Sequence, residues 1–164
     1  MSGTLQFSSS PKDRKARFLE FIPQWRAIIH GEKDEIACLA NTSSALMEAF
    51  SFHWIGFYRV IINELVLGPF QGPVACTRIA NGKGVCGTAW MRNESILVPN
   101  VEEFPGHIAC SALSKSELVL PLRDINGKVI AVLDIDSSEL NDFSIDDLNS
   151  LEFICRELEK QIYH

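Results

Sequence analysis

Apolar residues in the first third of the chain recur every three or four positions, which is the spacing of one face of an α-helix. The first stripe consists of Phe18, Phe21, Ile22, Trp25, Ile28 and Ile29. Ser10 followed by Pro11 predicts the start of this helix, with the serine as its N-cap. Pro23 predicts a kink or a division into two short helices, because proline removes a backbone hydrogen bond. A second helix is predicted over residues 34–50.

From residue 53 onward the apolar spacing changes to a pattern typical of strands. Residues 53–61 and 64–70 are separated by a short break at Asn63, which predicts a hairpin. The next predicted elements are a strand over 75–79, a short helix over 85–92, a strand over 95–98, and a second hairpin formed by 117–122 and 128–135. Ser144 with Asp147 three residues later predicts the capped start of a closing helix.

This order of elements predicts a single α+β domain over residues 1–164, in which a central antiparallel sheet carries the N- and C-terminal helices on one face. A chain of 164 residues fits one domain and can bury a core without disulfides or a structural metal. We expect residues 1–10 to form a flexible N-terminal segment.

Charge and composition exclude several function classes. The net charge is −6 and the pI is near 5.2, so we expect no basic surface for nucleic acid or an anionic membrane. No apolar run approaches the roughly 20 residues of a transmembrane helix. The first residues also lack the pattern of a signal peptide. We therefore expect a cytoplasmic protein.

The chain has five cysteines, and an odd number without a secretory signal fits a reducing compartment. Cys155 lies on the apolar stripe of the closing helix and is predicted to fill the core. Cys38 falls off the apolar face of its helix, which predicts a thiol that is half exposed or lies at a subunit contact.

Cys76, Cys86 and Cys110 are candidates for sulfur redox chemistry, which needs a nucleophilic thiolate and a second thiol that resolves its oxidised form. Cys86 opens the predicted short helix, where the helix dipole and free N–H groups favour a thiolate. Cys110 follows His107 by three residues, and an imidazolium beside it would lower the pKa of the thiol. On this pattern alone, simple burial is an equally good interpretation.

Zinc binding is a competing use of these side chains. His107, Cys76, Cys86 and Cys110 could supply four ligands. However, the sequence has no Cys-x-x-Cys pair, and cysteine separations of 10 and 24 residues match no usual zinc finger or ribbon. We therefore expect neither a metal nor another cofactor.

Acidic and aromatic residues on the predicted strands are candidates for a pocket. Asp134 and Asp136 share one strand face because side chains alternate, and Glu117 begins an otherwise apolar strand. Carboxyl groups beside apolar neighbours have raised pKa values, which suits proton donation or binding of an ammonium group. The alternative is that they cap strand ends in water. Trp54 and Tyr58 also share a face, and they either line a pocket or fill the core.

Six motifs, taken in order, resemble those of the free methionine-(R)-sulfoxide reductases, which are single GAF domains. They are WIGFY (54–58), LGPFQG (67–72), GVCGTA (84–89), GHIAC (106–110), SELVLPL (116–122) and VLDIDS (132–137). The resemblance runs from about residue 34 to the closing helix. It implies an oxidoreductase that reduces free L-methionine-(R)-sulfoxide, and not protein-bound residues, to methionine.

The resemblance also implies roles for the cysteines. Cys110 matches the nucleophile, which becomes a sulfenic acid when methionine departs, and Cys76 matches the thiol that then forms a disulfide with it. Cys86 matches a third cysteine that assists resolution or relays electrons, and whether Cys76 or Cys86 is the main resolving thiol stays open. Thioredoxin is the implied reductant, and defence against oxidative stress is the implied setting.

The remaining candidates also match family positions. Glu117 matches the acid that protonates the sulfoxide oxygen, and Asp136, with Asp134 near it, matches the group that holds the substrate ammonium or shares the acid role. Trp54 and Tyr58 match the walls around the substrate methyl and thioether groups.

Two positions depart from the family pattern. Ser111 stands where relatives often have an acidic residue, and His53 stands where they often have asparagine. The N-terminal helix is less diagnostic, and a homodimer formed through it stays open. The rival interpretation is a GAF module that senses a small ligand such as a cyclic nucleotide. The three cysteines together with Glu117 would have no purpose in such a sensor.

Overall fold

The computed structural model describes residues 4–108 and 110–164. Within these residues it contains four α-helices and six strands. In chain order they are α1 (Arg14–Ile29), α2 (Glu35–Phe50), β1 (Trp54–Ile61), β2 (Glu64–Gln71), β3 (Arg78–Ala80), α3 (Gly84–Arg92), β4 (Ile96–Val98), β5 (Ser116–Arg123), β6 (Val129–Ser137) and α4 (Ile145–Ile162). The six strands form one antiparallel sheet in the order β3-β2-β1-β6-β5-β4. The predicted α+β architecture is confirmed.

Alternation along the three central strands gives the sheet two different faces. On one face, apolar residues such as Ile55, Leu120 and Leu133 are buried beneath α1, α2 and α4. On the other face, a second apolar cluster includes residues of α3, among them Val85 and Ala89. The prediction that the N- and C-terminal helices cover one face is therefore confirmed, and α3 covers the opposite face.

Helix α1 differs from its prediction at Pro11 and at Pro23. It begins at Arg14 and is capped by Asp13, whose side chain accepts a hydrogen bond from the Ala16 amide, so Ser10 and Pro11 lie outside it. The helix is also continuous through Pro23. Pro23 is exposed to solvent, while the opposite side of the helix is held in the core by Trp25 and its neighbours.

Residues 4–10, which we expected to be a flexible segment, lie against the helices in the structure. Leu5 is buried in the core, and its amide donates to the Glu48 carboxylate of α2. Ser8 and Ser9 donate backbone and side-chain hydrogen bonds to the Glu20 carboxylate of α1. These contacts, which link residues more than ten positions apart, leave no signal in the local sequence.

Two cysteines lie in the core on the helical face of the sheet. Cys155 is buried on α4, as predicted. Cys38 is also buried, with 1% of its surface exposed, so the prediction of a half-exposed thiol is wrong. The reason is that α2 is covered on two sides, and Cys38 is buried together with Thr42 and Ala45.

The four α-helices of the described residues are the candidates for a membrane-spanning segment. Across residues 4–108 and 110–164, none of them is both long and apolar enough to cross a bilayer.

Candidate active site

The register of the central strands brings the predicted polar residues together. Glu117 of β5 pairs with Asp136 of β6, and Asp136 pairs in turn with Trp54 of β1. Two residues along β6, Asp134 pairs with Gly56. Because side chains alternate, these residues and Tyr58 all project from the sheet face that α3 covers.

A cavity lies between this sheet face, α3 and the segment that precedes β5. All but one of the candidate residues predicted from the sequence line it: Trp54, Tyr58, Cys86, His107, Cys110, Glu117, Asp134 and Asp136. The exception, Cys76, is joined to the lining residue Cys110 by a disulfide. The long irregular stretch between β4 and β5 supplies Ile108, Ser111 and Ser114 to the same wall. A single concave site therefore unites residues from five parts of the chain.

Cys76 and Cys110 are joined by a disulfide at this cavity, with their Cα atoms 5.5 Å apart. Both are half-buried. The predicted strand over 75–79 is wrong at Cys76, which lies outside β3 because β3 pairs with β2 only from Arg78 onward. It lies in the irregular segment before β3, where its carbonyl oxygen accepts a 2.9 Å hydrogen bond from the Tyr58 hydroxyl.

Cys86 has a different environment from the one predicted. It lies in the first turn of α3 but is buried, with its Sγ 3.9 Å from Glu117 Oε1. Burial raises the pKa of the Cys86 thiol well above its usual value, and the carboxyl groups of Asp134 and Glu117 raise it further. The predicted thiolate at this position is therefore wrong, because desolvation and the acidic neighbours outweigh the helix dipole.

Two of the three carboxyl groups are buried and that of Asp136 is half-buried, so the alternative of solvated strand caps is wrong. Glu117 and Asp134 are each 6% exposed. Burial raises the pKa of Glu117, and the charges of Asp134 and Asp136 add to the rise. Burial and then Asp134 raise the pKa of Asp136, while burial raises that of Asp134. Close carboxyl groups disfavour one another's ionisation, so their protonated forms are favoured to a higher pH than in water.

Two aromatic rings of the same sheet face, those of Trp54 and Tyr58, also line the cavity. Trp54 stacks on Phe70 with ring centres 5.4 Å apart and lies 6.0 Å from the Tyr58 ring. The Trp54 indole N–H donates to the Pro73 carbonyl oxygen at 3.0 Å. Gly56 leaves room for this stack, since a Cβ atom there would lie 2.6 Å from Trp54 Cη2 and 2.4 Å from Phe70 Cβ. Backbone and ring contacts thus fix the indole in place.

His107 contacts a carboxyl group in the structure. Its Nε2 lies 3.8 Å from Glu117 Oε2, and burial lowers the pKa of the imidazole. The expected imidazolium beside Cys110 is not supported, because desolvation favours the neutral ring.

Two serines of the segment before β5, Ser111 and Ser114, complete the site, and Ser114 is not predicted from the sequence. The Ser114 hydroxyl donates to Asp136 Oδ1. No motif or spacing marks Ser114, so only the fold reveals it. The Ser111 hydroxyl lies 3.1 Å from His53 Nε2, so the two positions that depart from the family pattern contact each other.

The zinc alternative is incompatible with the disulfide-bonded form. Two of its four suggested ligands, Cys76 and Cys110, are bonded to each other and carry no thiolate.

Sequence comparison gives close relatives over most of the chain. The GAF domain family matches residues 32–159. GAF domain-containing protein A of Dictyostelium discoideum is 51% identical over 160 residues, which cover 97% of this chain and 99% of that protein. The free methionine-R-sulfoxide reductase of Escherichia coli (strain K12) is 47% identical over 137 residues, which cover 83% of this chain and 82% of the relative.

Structural comparison gives the same result. The X-ray structure of free methionine-R-sulfoxide reductase from Neisseria meningitidis, in complex with its substrate, matches with a TM-score of 0.92 and 47% identity. The match covers 96% of this chain and 94% of that chain. The family resemblance that the six motifs carry is therefore confirmed, and this chain belongs to the free methionine-R-sulfoxide reductases of the GAF domain family.

Proposed function

We propose that this protein reduces free L-methionine-(R)-sulfoxide to L-methionine. The observation that carries the proposal is the Cys76–Cys110 disulfide beside a cavity whose wall holds three carboxyl groups, two of them buried. A redox-active sulfur pair and an acid that stays protonated are the two components that sulfoxide reduction needs. The relatives named free methionine-R-sulfoxide reductase in E. coli and N. meningitidis support the same reaction.

In the first step, the Cys110 thiolate attacks the substrate sulfur. The sulfoxide oxygen is protonated and transferred to Cys110 Sγ, so that methionine leaves and Cys110 becomes a sulfenic acid. The substrate sulfur gains two electrons and Cys110 Sγ loses two. The disulfide in the structure corresponds to the oxidised enzyme, after this step has been resolved.

Glu117 is the proton donor in this step. Burial raises its pKa, which favours the protonated carboxyl group, and it contacts Cys86 and His107 at the wall of the cavity. Protonation of the sulfoxide oxygen makes the sulfur electrophilic. The Cys110 thiol releases a proton when it forms the thiolate, and this proton replaces the one that Glu117 donates to the sulfoxide oxygen.

In the second step, the Cys76 thiolate attacks the sulfenic sulfur of Cys110. The S–O bond breaks, the disulfide forms, and hydroxide leaves as water with the proton that the Cys76 thiol released when it formed the thiolate. The Cα separation of 5.5 Å and the Cys76–Cys110 bond support Cys76 as the main resolving thiol. Cys86 is buried beside Glu117, and we assign it an assisting role in resolution or electron relay.

Substrate selection rests on charge and on aromatic surface. Asp136 and Asp134 bind the α-ammonium group, and Ser114 orients the Asp136 carboxylate. Trp54 and Tyr58 enclose the methyl and thioether groups. A peptide-bound residue has no α-ammonium group and would leave these carboxyl groups unpaired, which excludes it.

Thioredoxin recycles the enzyme by thiol–disulfide exchange. Its thiolate attacks one sulfur of the half-buried Cys76–Cys110 bond, and its second thiol releases the reduced enzyme. This cycle suits a reducing cytoplasm under oxidative stress.

A homodimer would use the outer side of α1, where Leu19 is exposed, because the inner side is buried within the chain.

A coupled assay tests the proposal. Reduced protein, thioredoxin, thioredoxin reductase and NADPH are mixed with either epimer of free methionine sulfoxide, and NADPH consumption is followed. We expect turnover with the R epimer and none with the S epimer, and we expect Cys110→Ser to abolish it. If the folded, reduced protein turns over neither epimer, the proposal is wrong and a small-ligand sensor is favoured.

A further inference from the structure

Three metal-ligating side chains meet in the cavity without involving the disulfide. Cys86 Sγ and one carboxylate oxygen each from Glu117 and Asp134 lie within 4.8 Å of one another. All three residues are more than nine-tenths buried. Donor atoms around a tetrahedral zinc ion are roughly 3.5 Å apart, given Zn–S and Zn–O distances of about 2.3 and 2.1 Å. The separation of 3.9 Å between Cys86 Sγ and Glu117 Oε1 is close to that spacing.

One oxygen of this cluster lacks a partner. Among the described residues, Asp134 Oδ1 is buried and receives no hydrogen bond. The basic side chains that line the cavity are Lys83, which is exposed, and His107, which contacts Glu117. A cation bound in the cavity would give Asp134 Oδ1 the partner that the described residues do not supply.

We propose that Cys86, Glu117 and Asp134 form a binding site for a thiophilic divalent cation, with Zn²⁺ as the best match. One thiolate and two carboxylates suit zinc, whereas Mg²⁺ and Ca²⁺ need more oxygen ligands and no sulfur. His107 Nε2, 3.8 Å from the second oxygen of Glu117, is the next donor available. Binding displaces into solvent the proton of the Cys86 thiol and any proton carried by the Glu117 or Asp134 carboxyl group.

This site differs from the zinc alternative of the sequence analysis, which required Cys76 and Cys110 as ligands. Cys86 is a free thiol outside the disulfide, so the site exists whether or not the disulfide is formed. The cation would also occupy the carboxyl group that we assign to the substrate ammonium. Zinc and substrate should then exclude each other, a consequence that rests on the proposed function.

Zinc titration of the Cys76→Ser/Cys110→Ser chain tests the site directly, because Cys86 is then the only thiol of the cavity. Zn²⁺ is divided between the protein and a chromophoric chelator of known affinity. We expect one ion per chain, and we expect Cys86→Ser or Asp134→Asn to weaken binding by more than about tenfold, since even indirect support of a ligand is worth that much. Mg²⁺ should not compete.

Cys155→Ser is the matched control, because Cys155 is an equally buried thiol outside the cavity and its loss should leave zinc affinity unchanged. If Cys86→Ser fails to fold, alkylation of Cys86 in the unaltered protein, with and without Zn²⁺, replaces it. Undiminished binding after removal of Cys86, absence of binding, or alkylation unaffected by zinc would each overturn the proposal. Zinc should also raise the apparent KM of the reductase. If zinc binds but does not raise the apparent KM, this result counts against the proposed function and not against the metal site.

Discussion

Glu117 and Asp136 are direct cross-strand partners on β5 and β6, and both project into the cavity. Side chains opposite each other in an antiparallel pair lie about 4.5–5.5 Å apart at Cβ. Two carboxyl groups so placed in a buried site cannot both ionise easily. The sheet register therefore brings together the two carboxyl groups to which we assign proton donation and ammonium binding, and the predictions below follow from this assignment.

Replacement of either disulfide cysteine should stop the reaction, but at a different step for each. Cys110→Ser removes the nucleophile and should produce no methionine. Cys76→Ser should still form about one methionine per chain and then nearly stop, because the sulfenic acid has lost its main resolving thiol, so steady-state turnover should fall by more than about tenfold. Methionine formed by each variant is quantified with and without thioredoxin. Cys38→Ser, which changes a buried thiol on the other sheet face, should keep full turnover.

Glu117→Gln and Asp136→Asn should separate chemistry from binding. The first removes the proton donor and should lower kcat by about 10²–10⁴-fold, the usual contribution of a general acid. The second removes a charged hydrogen-bond partner of the ammonium group, worth about 1.5–3 kcal/mol, and should mainly raise KM. Steady-state kinetics with free L-methionine-(R)-sulfoxide measure both constants. Equal effects of the two variants on KM alone would refute the assignment of Glu117.

Stability should depend on pH through Glu117 with a defined sign. Its folded pKa is raised above the unfolded value of about 4.3. The folded state therefore binds more protons between the two values, and the free energy of unfolding falls as pH rises through that interval. Glutamine does not titrate, so Glu117→Gln should stabilise the protein more at pH 8 than at pH 5.

Thermal unfolding at the two pH values measures this effect. One pKa unit corresponds to about 1.4 kcal/mol, and for a chain of this size each kcal/mol shifts Tm by about 2–4 °C. We expect the gain in Tm on replacing Glu117 by glutamine to be larger at pH 8 than at pH 5. An equal shift at both pH values would contradict the raised pKa of Glu117.

Gly56→Ala should disturb the aromatic wall. The added Cβ would lie 2.4 Å from Phe70 Cβ, so the stack with Trp54 must move. Overpacking of this kind costs about 1–3 kcal/mol. We expect a lower Tm, a raised KM and altered tryptophan fluorescence. Unchanged KM in a protein with displaced Trp54 would show that the indole does not contact the substrate.

Alternation along strands made part of the site predictable. The shared face of Asp134 and Asp136, and that of Trp54 and Tyr58, follow from a period of two. Burial of the carboxyl groups could not be read in this way, because it depends on the pairing of Glu117 with Asp136 and on the cover supplied by α3.

Other predictions failed for related reasons. The environment of Cys86 combines a local helix terminus, which the sequence reveals, with carboxyl groups from β5 and β6, which it does not. Cys38 looked exposed because the periodicity of one helix does not reveal a second covering neighbour. The contact between Ser114 and Asp136 joins residues 22 positions apart and depends on the path of an irregular segment.

A single-turnover experiment tests the central claim most directly. Fully reduced protein is mixed with excess free L-methionine-(R)-sulfoxide in the absence of any reductant, and methionine and thiols are counted. The account predicts about one methionine per chain, loss of two thiols, and a peptide pair linked through Cys76 and Cys110 in mass spectrometry. Methionine formed without that linked pair, or no methionine at all from the reduced protein, would contradict it.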